Sequence, residues 1–376
     1  MEKYGLVLAG GGAKGAYQLG AWKAMRELGI SFEAVAGVSI GSINGALIAA
    51  DDYGTAVRLW QNVSVDKGVR IEGELPDPDN LFSVKNFGVL LREFVKNGGI
   101  DASPTESMLR EFINEDKVRA SGIFYGLVTI QLSGGMTPRE LTLDDIPEGE
   151  LVDYLMASAH IPGVSNIGPE GETYLDGGLY DNAPCSFLRK NGYNRLIVVD
   201  ISSVKGYAHS LDINNANVVY IRPYDIDDLG ASFDFSEEMT EKRMTLGYKD
   251  TKKAFSLLLG NIFYFEPDVF KAMVPRHGAD CVKQLEQFAD KLGVDRQPTY
   301  TYDEFMAALL EKYKETSMTD EAEEEVPVDI NPEPKAEGVM GLYSQIRKIF
   351  TAKKREDNFS EAISVLEQFG TDAVSV

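Results

Sequence analysis

Two glycine-rich turns fall within the first fifty residues, and each joins a short apolar run to a helical repeat. The first is Gly10-Gly11-Gly12-Ala13-Lys14-Gly15, and the second is Gly37-Val38-Ser39-Ile40-Gly41. Residues 4–9 form an apolar run ending in glycine, the pattern of a buried parallel strand. Residues 16–28 place Ala21, Ala24, Met25 and Leu28 at helical spacing, and Gly29 follows where a helix would stop. Residues 33–38 read as a second strand, and residues 42–50 as a second helix carrying Ile43, Ala46, Leu47 and Ala50. Strand, turn and helix, repeated at once, specify an α/β fold with a mainly parallel sheet. Further strands are expected at 124–130, 196–200 and 218–221, and further helices at 81–95 and 105–112.

The two turns carry the candidate chemistry. Gly37-x-Ser39-x-Gly41 between a strand and a helix fits a nucleophile elbow, where small neighbours let strand and helix approach around the serine. The helix start beyond it favours developing negative charge. Three glycines in the first turn bring the backbone close to a ligand and leave N–H groups to face it, which suits an oxyanion hole. The same turn also reads Gly10-x-Gly12-x-x-Gly15, a dinucleotide fingerprint. That alternative wants an acid at the end of the second strand. Glu33 stands at its start, and the Ser39 turn occupies its end. Asp176-Gly177-Gly178 is by itself a turn, but its aspartate suits a base held close to a serine.

Taken in order, Gly-Gly-Gly-x-Lys-Gly, Gly-x-Ser-x-Gly and Asp-Gly-Gly resemble the patatin-like phospholipases. Ala157-Ser158-Ala159-His160-Ile161-Pro162-Gly163 and Gly99-Ile100-Asp101 are similar to two further segments of that family. The resemblance covers residues 4–260 and implies a three-layer α/β/α domain; beyond it the apolar spacing predicts a mainly helical C-terminal region. It implies a lipid acyl hydrolase with a Ser39–Asp176 dyad and oxyanion amides from Gly10, Gly11, Gly12 and Ile40. Lys14, Gly15, Gly37, Gly41, Gly177 and Gly178 complete the motifs. The implied mechanism needs no metal or cofactor, and the implied partner is a lipid ester. His160 either lines the site or is structural. His209 and His277 follow Asp176 in the order of an α/β-hydrolase triad, but only one strand precedes the elbow, against the several such a fold places there. Two classes stand as alternatives: a dinucleotide-binding oxidoreductase, and a lipid-binding protein with the same fold and no turnover.

A net charge of −22 argues against nucleic acid as a partner. Cys185 and Cys281 form neither a disulfide framework nor a metal-ligand spacing. The chain shows no signal-peptide pattern and no stretch of spanning length, so a cytoplasmic protein is expected, with peripheral contact to a membrane as one option. The expected organisation is a catalytic domain at 1–260, a helical extension at 261–314, an acidic linker at 315–337 and amphipathic helices at 338–376. Within the last segment, residues 339–355 carry Arg347, Lys348, Lys353, Lys354 and Arg355 and no acid. Such a stretch can lie on an anionic lipid surface, pack on a core or pair with the acidic segment before it.

Overall fold

The computed structural model describes residues 3–63, 100–101, 103–160, 164–165, 168–202, 217–324 and 359–374. The helix expected at 81–95, Gly99, the Ile161-Pro162-Gly163 end of the serine-alanine segment, His209 and residues 325–358 lie outside them. The chain divides into two compact units, Met1–Ala254 and Phe255–Val376.

In the first unit the apolar runs are strands β1 (Lys3–Leu8) and β2 (Ser31–Val38). Leu6, Val7, Leu8, Val35, Ala36 and Val38 are all buried, as strands covered on both faces must be. Five more strands complete a seven-stranded sheet: β3 (Phe124–Gln131), β4 (Thr137–Thr142), β5 (Tyr174–Asp176), β6 (Arg195–Val199) and β7 (Asn217–Ile221). The order is β4-β3-β2-β1-β6-β7, with β5 pairing to β3. β4 and β5 run antiparallel to β3, and the other pairs are parallel. β4 and β5 have no counterpart among the expected strands. The first half of β4 is exposed and polar, and β5 is too short to show a period.

Helices α1 (Ala16–Glu27) and α2 (Ile40–Ala49) follow β1 and β2. Helix α3 (Tyr53–Asn62) is capped by Asp52, whose carboxylate accepts from the Thr55 N–H at 3.1 Å. Helices α4 (Leu151–Ser158) and α5 (Glu237–Ala254) lie later in the unit, on either side of β5 in the chain. α5 lies backbone to backbone on α1. A Cβ on Gly20 would stand 1.9 Å from the Met244 carbonyl, and one on Gly247 would stand 1.9 Å from that of Tyr17. Tyr17 also donates to Asp250 at 2.7 Å.

Strand β3 brings two distant strand ends together. β2 and β5 use the same edge of β3 but arrive from opposite directions. Val38 pairs with Val128 and Asp176 with Thr129, so the C-terminal ends of β2 and β5 meet head to head.

The second unit is mainly helical, with α6 (Pro267–His277), α7 (Ala279–Lys291), α8 (Tyr302–Glu324) and α9 (Ser360–Val374). They surround a core that includes Phe263, Phe265, Leu285, Phe305, Leu309 and Leu366. Buried Glu286 accepts from the N–H groups of Asn261, Ile262 and Phe263 at 2.8, 3.0 and 3.1 Å, fixing the loop that enters this core. α8 continues to Glu324, past the start of the expected acidic linker. The acids there are helix formers, and no glycine or proline intervenes before Pro327. No helix among the described residues is long and apolar enough to cross a membrane.

Candidate active site

Ser39 occupies the junction of β2 and α2 with φ 54° and ψ −130°, a conformation side chains rarely adopt. The turn is held by its glycines. A Cβ on Gly37 would fall 2.2 Å from the Gly41 carbonyl, and one on Gly41 would fall 2.3 Å from that of Leu8. Ser39 stands at the N-cap of α2 yet makes no side-chain cap, so its hydroxyl is not spent on the helix. Its carbonyl accepts instead from the Ser42 N–H at 2.9 Å and the Ser42 hydroxyl at 2.7 Å. Its N–H donates to Ser158 Oγ at 2.9 Å, and that hydroxyl donates to the Val128 carbonyl at 2.7 Å. Ser158, the last residue of α4, therefore ties the elbow to β3.

Asp176 is the last residue of β5 and is buried, with 1% exposure. The head-to-head junction sets its carboxyl beside the Ser39 side chain. Oδ1 accepts from the Gly178 N–H at 2.7 Å. Oδ2 is buried and has no hydrogen-bond partner among the described residues. Burial pushes the Asp176 carboxyl up to about 6, against smaller opposing pulls from the Ser39 hydroxyl and the Gly178 N–H. A carboxylate that holds a proton this readily is a better base for a serine hydroxyl than an exposed aspartate. Gly177 lets the strand pass so close. A Cβ there would meet the Val128 carbonyl at 2.1 Å.

The first glycine turn lies against the serine elbow. The Cβ position of Gly10 is 3.1 Å from Ser39 Cβ, and that of Gly15 is 2.5 Å from Ile40 Cγ1. The Gly10 N–H donates to the Asn182 carbonyl at 3.4 Å, which engages one of the four amides expected to hold an oxyanion. The N–H groups of Gly11, Gly12 and Ile40 have no acceptor among the described residues. Asn182 also donates from Nδ2 to the Gly10 carbonyl at 3.2 Å and to Ser202 Oγ at 2.8 Å. Its Oδ1 lies 2.6 Å from the Cβ positions of both Gly10 and Gly178, so Asn182 joins the glycine turn to the aspartate turn.

The remaining expected residues play varied parts. Lys14 is buried in the short turn of helix before α1. His160 reaches Asp176 through its main chain, its carbonyl accepting from the Asp176 N–H at 2.8 Å. Burial moves the His160 imidazole below its ordinary pKa. His277 belongs to the second unit, where it pairs with Tyr302 at 3.0 Å. Glu33 is exposed at the start of β2. Sequence reasoning assigned no role to Ser158 or Asn182, although Ser158 lies inside a stretch that carries the resemblance and Asn182 follows Asp-Gly-Gly by four residues. Their neighbours in space are set by the sheet, not by local spacing.

A serine on a strained strand–helix turn, a buried carboxyl beside it and unengaged amides alongside are what acyl transfer through a serine–aspartate pair requires. Residues 6–189 match the patatin-like phospholipase family, and this part of the chain belongs to it. A lysophospholipase of Aspergillus oryzae is 30% identical over 218 residues, 55% of this chain and 12% of its own length. One from Cryptococcus neoformans is 29% identical over 207 residues, covering 54% of this chain and 11% of its own. The chain thus spans about an eighth of the length of these fungal relatives. Among solved structures, VipD from Legionella pneumophila is a distant likeness, with a TM-score of 0.39 at 15% identity over 85% of each chain.

Proposed function

We propose that the protein hydrolyses carboxylic esters of lipids, as a phospholipase A or lysophospholipase does. Ser39 Oγ attacks the ester carbonyl while Asp176 Oδ2 takes its proton. The amides of Gly11, Gly12 and Ile40 hold the oxyanion. Asp176 then returns the proton to the departing alkoxide, and the acyl group stays on Ser39. Water activated by Asp176 releases the fatty acid and frees the serine. The observation that carries this reading is the buried Asp176 carboxyl beside the Ser39 hydroxyl, its Oδ2 without a hydrogen-bond partner among the described residues. Lipid as the substrate is supported by the family to which residues 6–189 belong and by the fungal lysophospholipases.

Labelling with a fluorophosphonate probe tests the chemistry. Wild type takes up the probe and Ser39→Ala does not; equal labelling of the two removes Ser39 as nucleophile. Hydrolysis of a panel of lysophospholipids and diacyl phospholipids then tests the substrate. The basic stretch at 338–355 is assigned to contact with an anionic lipid surface, on its charge pattern. Sedimentation with anionic vesicles should fall when residues 338–376 are removed, and unchanged binding rejects that assignment.

A further inference from the structure

Arg243 lies in α5, beyond residue 189 where the family match ends. It is fully buried, with 0% exposure, and no carboxylate among the described residues pairs with it as a salt bridge. Its guanidinium is instead ringed by main-chain carbonyls. Nε donates to Leu229 at 2.7 Å, Nη2 to Ala231 at 2.8 Å, and Nη1 to Ala13 at 3.2 Å and also to Asp234. Three of these carbonyls belong to one loop, and the fourth belongs to the first glycine turn. The contact is reciprocal, because the Ala13 N–H donates to the Ser232 carbonyl at 2.7 Å.

That loop seats directly on the glycines. Gly12 has φ +58°, and a Cβ on it would stand 2.4 Å from the Ser232 carbonyl. The loop continues to Phe235, which stacks on Trp60 at 6.3 Å between ring centroids. Trp60 donates to Asn44 at 3.0 Å, and Asn44 donates to the Gly15 carbonyl at 3.0 Å and to Gln18 at 2.9 Å. Gln18 in turn donates to the Ala9 carbonyl at 2.6 Å. The glycine turn is therefore gripped at Ala9 and Gly15 from one side and at Gly12 and Ala13 from the other. Backbone contact between α1 and α5 at Gly20 and Gly247 fixes the arginine's height above the turn.

We propose that Arg243 is a positioning residue for the oxyanion amides: it folds the loop from Leu229 to Asp234 onto Gly12 and Ala13 and so sets the direction of the Gly11 and Gly12 N–H groups. Triple glycine has little conformational preference of its own. An oxyanion hole contributes only when its donors are already aimed, so something must hold the turn. A charge buried among carbonyls is a costly way to do it; burial lowers the Arg243 pKa to about 10. Only the planar fork of arginine reaches four acceptors spread around it, and a lysine ammonium on a single point does not.

The inference rests on the acyl-transfer reading of Ser39. The test uses the full chain and compares wild type, Arg243→Lys and Arg243→Ala with a soluble p-nitrophenyl ester. Arg243→Lys should lower kcat at least about tenfold with KM held within about threefold, because substrate still binds while the oxyanion is held poorly. Labelling of Ser39 by fluorophosphonate should slow in step, since the phosphonyl oxygen uses the same amides. In Arg243→Ala, millimolar methylguanidinium should restore turnover, and the same concentration of urea should not. A folded Arg243→Lys enzyme with wild-type kcat overturns the proposal. So does activity that follows only the folded fraction measured by circular dichroism. If Arg243→Ala does not fold, Arg243→Lys alone decides. A wild-type protein without Ser39-dependent turnover fails at the earlier step and takes this inference with it.

Discussion

Replacing Asp176 by Asn should destroy turnover and make the protein more stable, and the gain should depend on pH in a calculable way. The fold raises the Asp176 carboxyl from 3.8 to about 6 because burial disfavours its charged form. The folded chain therefore binds this proton more tightly than the unfolded chain. Its stabilising contribution is complete below 3.8 and is lost as pH rises through about 6. At about 1.4 kcal/mol per pKa unit, the charged carboxylate costs the native state about 3 kcal/mol above that point. Asparagine carries no such cost. Its carbonyl can keep the bond that Oδ1 accepts from the Gly178 N–H, and its amide takes the place of Oδ2, which has no partner among the described residues. Both tryptophans, Trp22 and Trp60, lie in the first unit, so their fluorescence in a urea titration follows the unfolding of that unit. The difference between Asp176→Asn and wild type should be only about 0.6 kcal/mol at about pH 4 and approach about 3 kcal/mol at about pH 8. An equal difference at both pH values would mean that the carboxyl is not raised by the fold, and its enhanced basicity would be refuted with it.

The same group sets the activity profile: kcat/KM should rise with pH through an apparent pKa of about 6, and a rise centred near 4 would refute the raised base. Ser158→Ala removes the acceptor of the Ser39 N–H, leaving that buried donor unpaired at a cost of about 1–3 kcal/mol; thermal denaturation should show the loss, and turnover should fall as the elbow loosens. Gly41→Ala places a methyl 2.3 Å from the Leu8 carbonyl, so β1 and α2 must part; soluble expression and Ser39 labelling should both drop sharply. Glu286→Gln turns one acceptor of the loop at 261–263 into a donor facing N–H groups, and should destabilise the second unit while leaving the ester activity of the first in place, measured by paired urea unfolding and turnover.

Much of the sheet's central part was legible because its strands are short apolar runs. The strands expected at 4–9, 33–38, 124–130, 196–200 and 218–221 correspond to β1, β2, β3, β6 and β7 within a few residues. What escaped were elements with no period to read. β5 is three residues long, and β4 is half exposed. α5 is too polar for its buried face to stand out, since it covers α1 through Gly20 and Gly247 and not through large apolar side chains. Arg243 escaped for the same reason: one arginine in a polar helix gives no sign that four carbonyls surround it.

The two turns, their strand–turn–helix setting and the candidate roles of Ser39 and Asp176 can be read from the chain order alone, because they rest on local patterns of glycine and apolar residues. How they combine depends on the packed sheet. The pairing of β2 and β5 on one edge of β3 brings residues 39 and 176 together from distant parts of the chain. That pairing buries the carboxyl, which raises its pKa, and a local motif cannot specify burial. The same packing engages the Gly10 amide with Asn182 and leaves those of Gly11, Gly12 and Ile40 without an acceptor among the described residues. A hydrogen bond made by a backbone N–H depends on what the fold places opposite it, and a row of glycines does not record that.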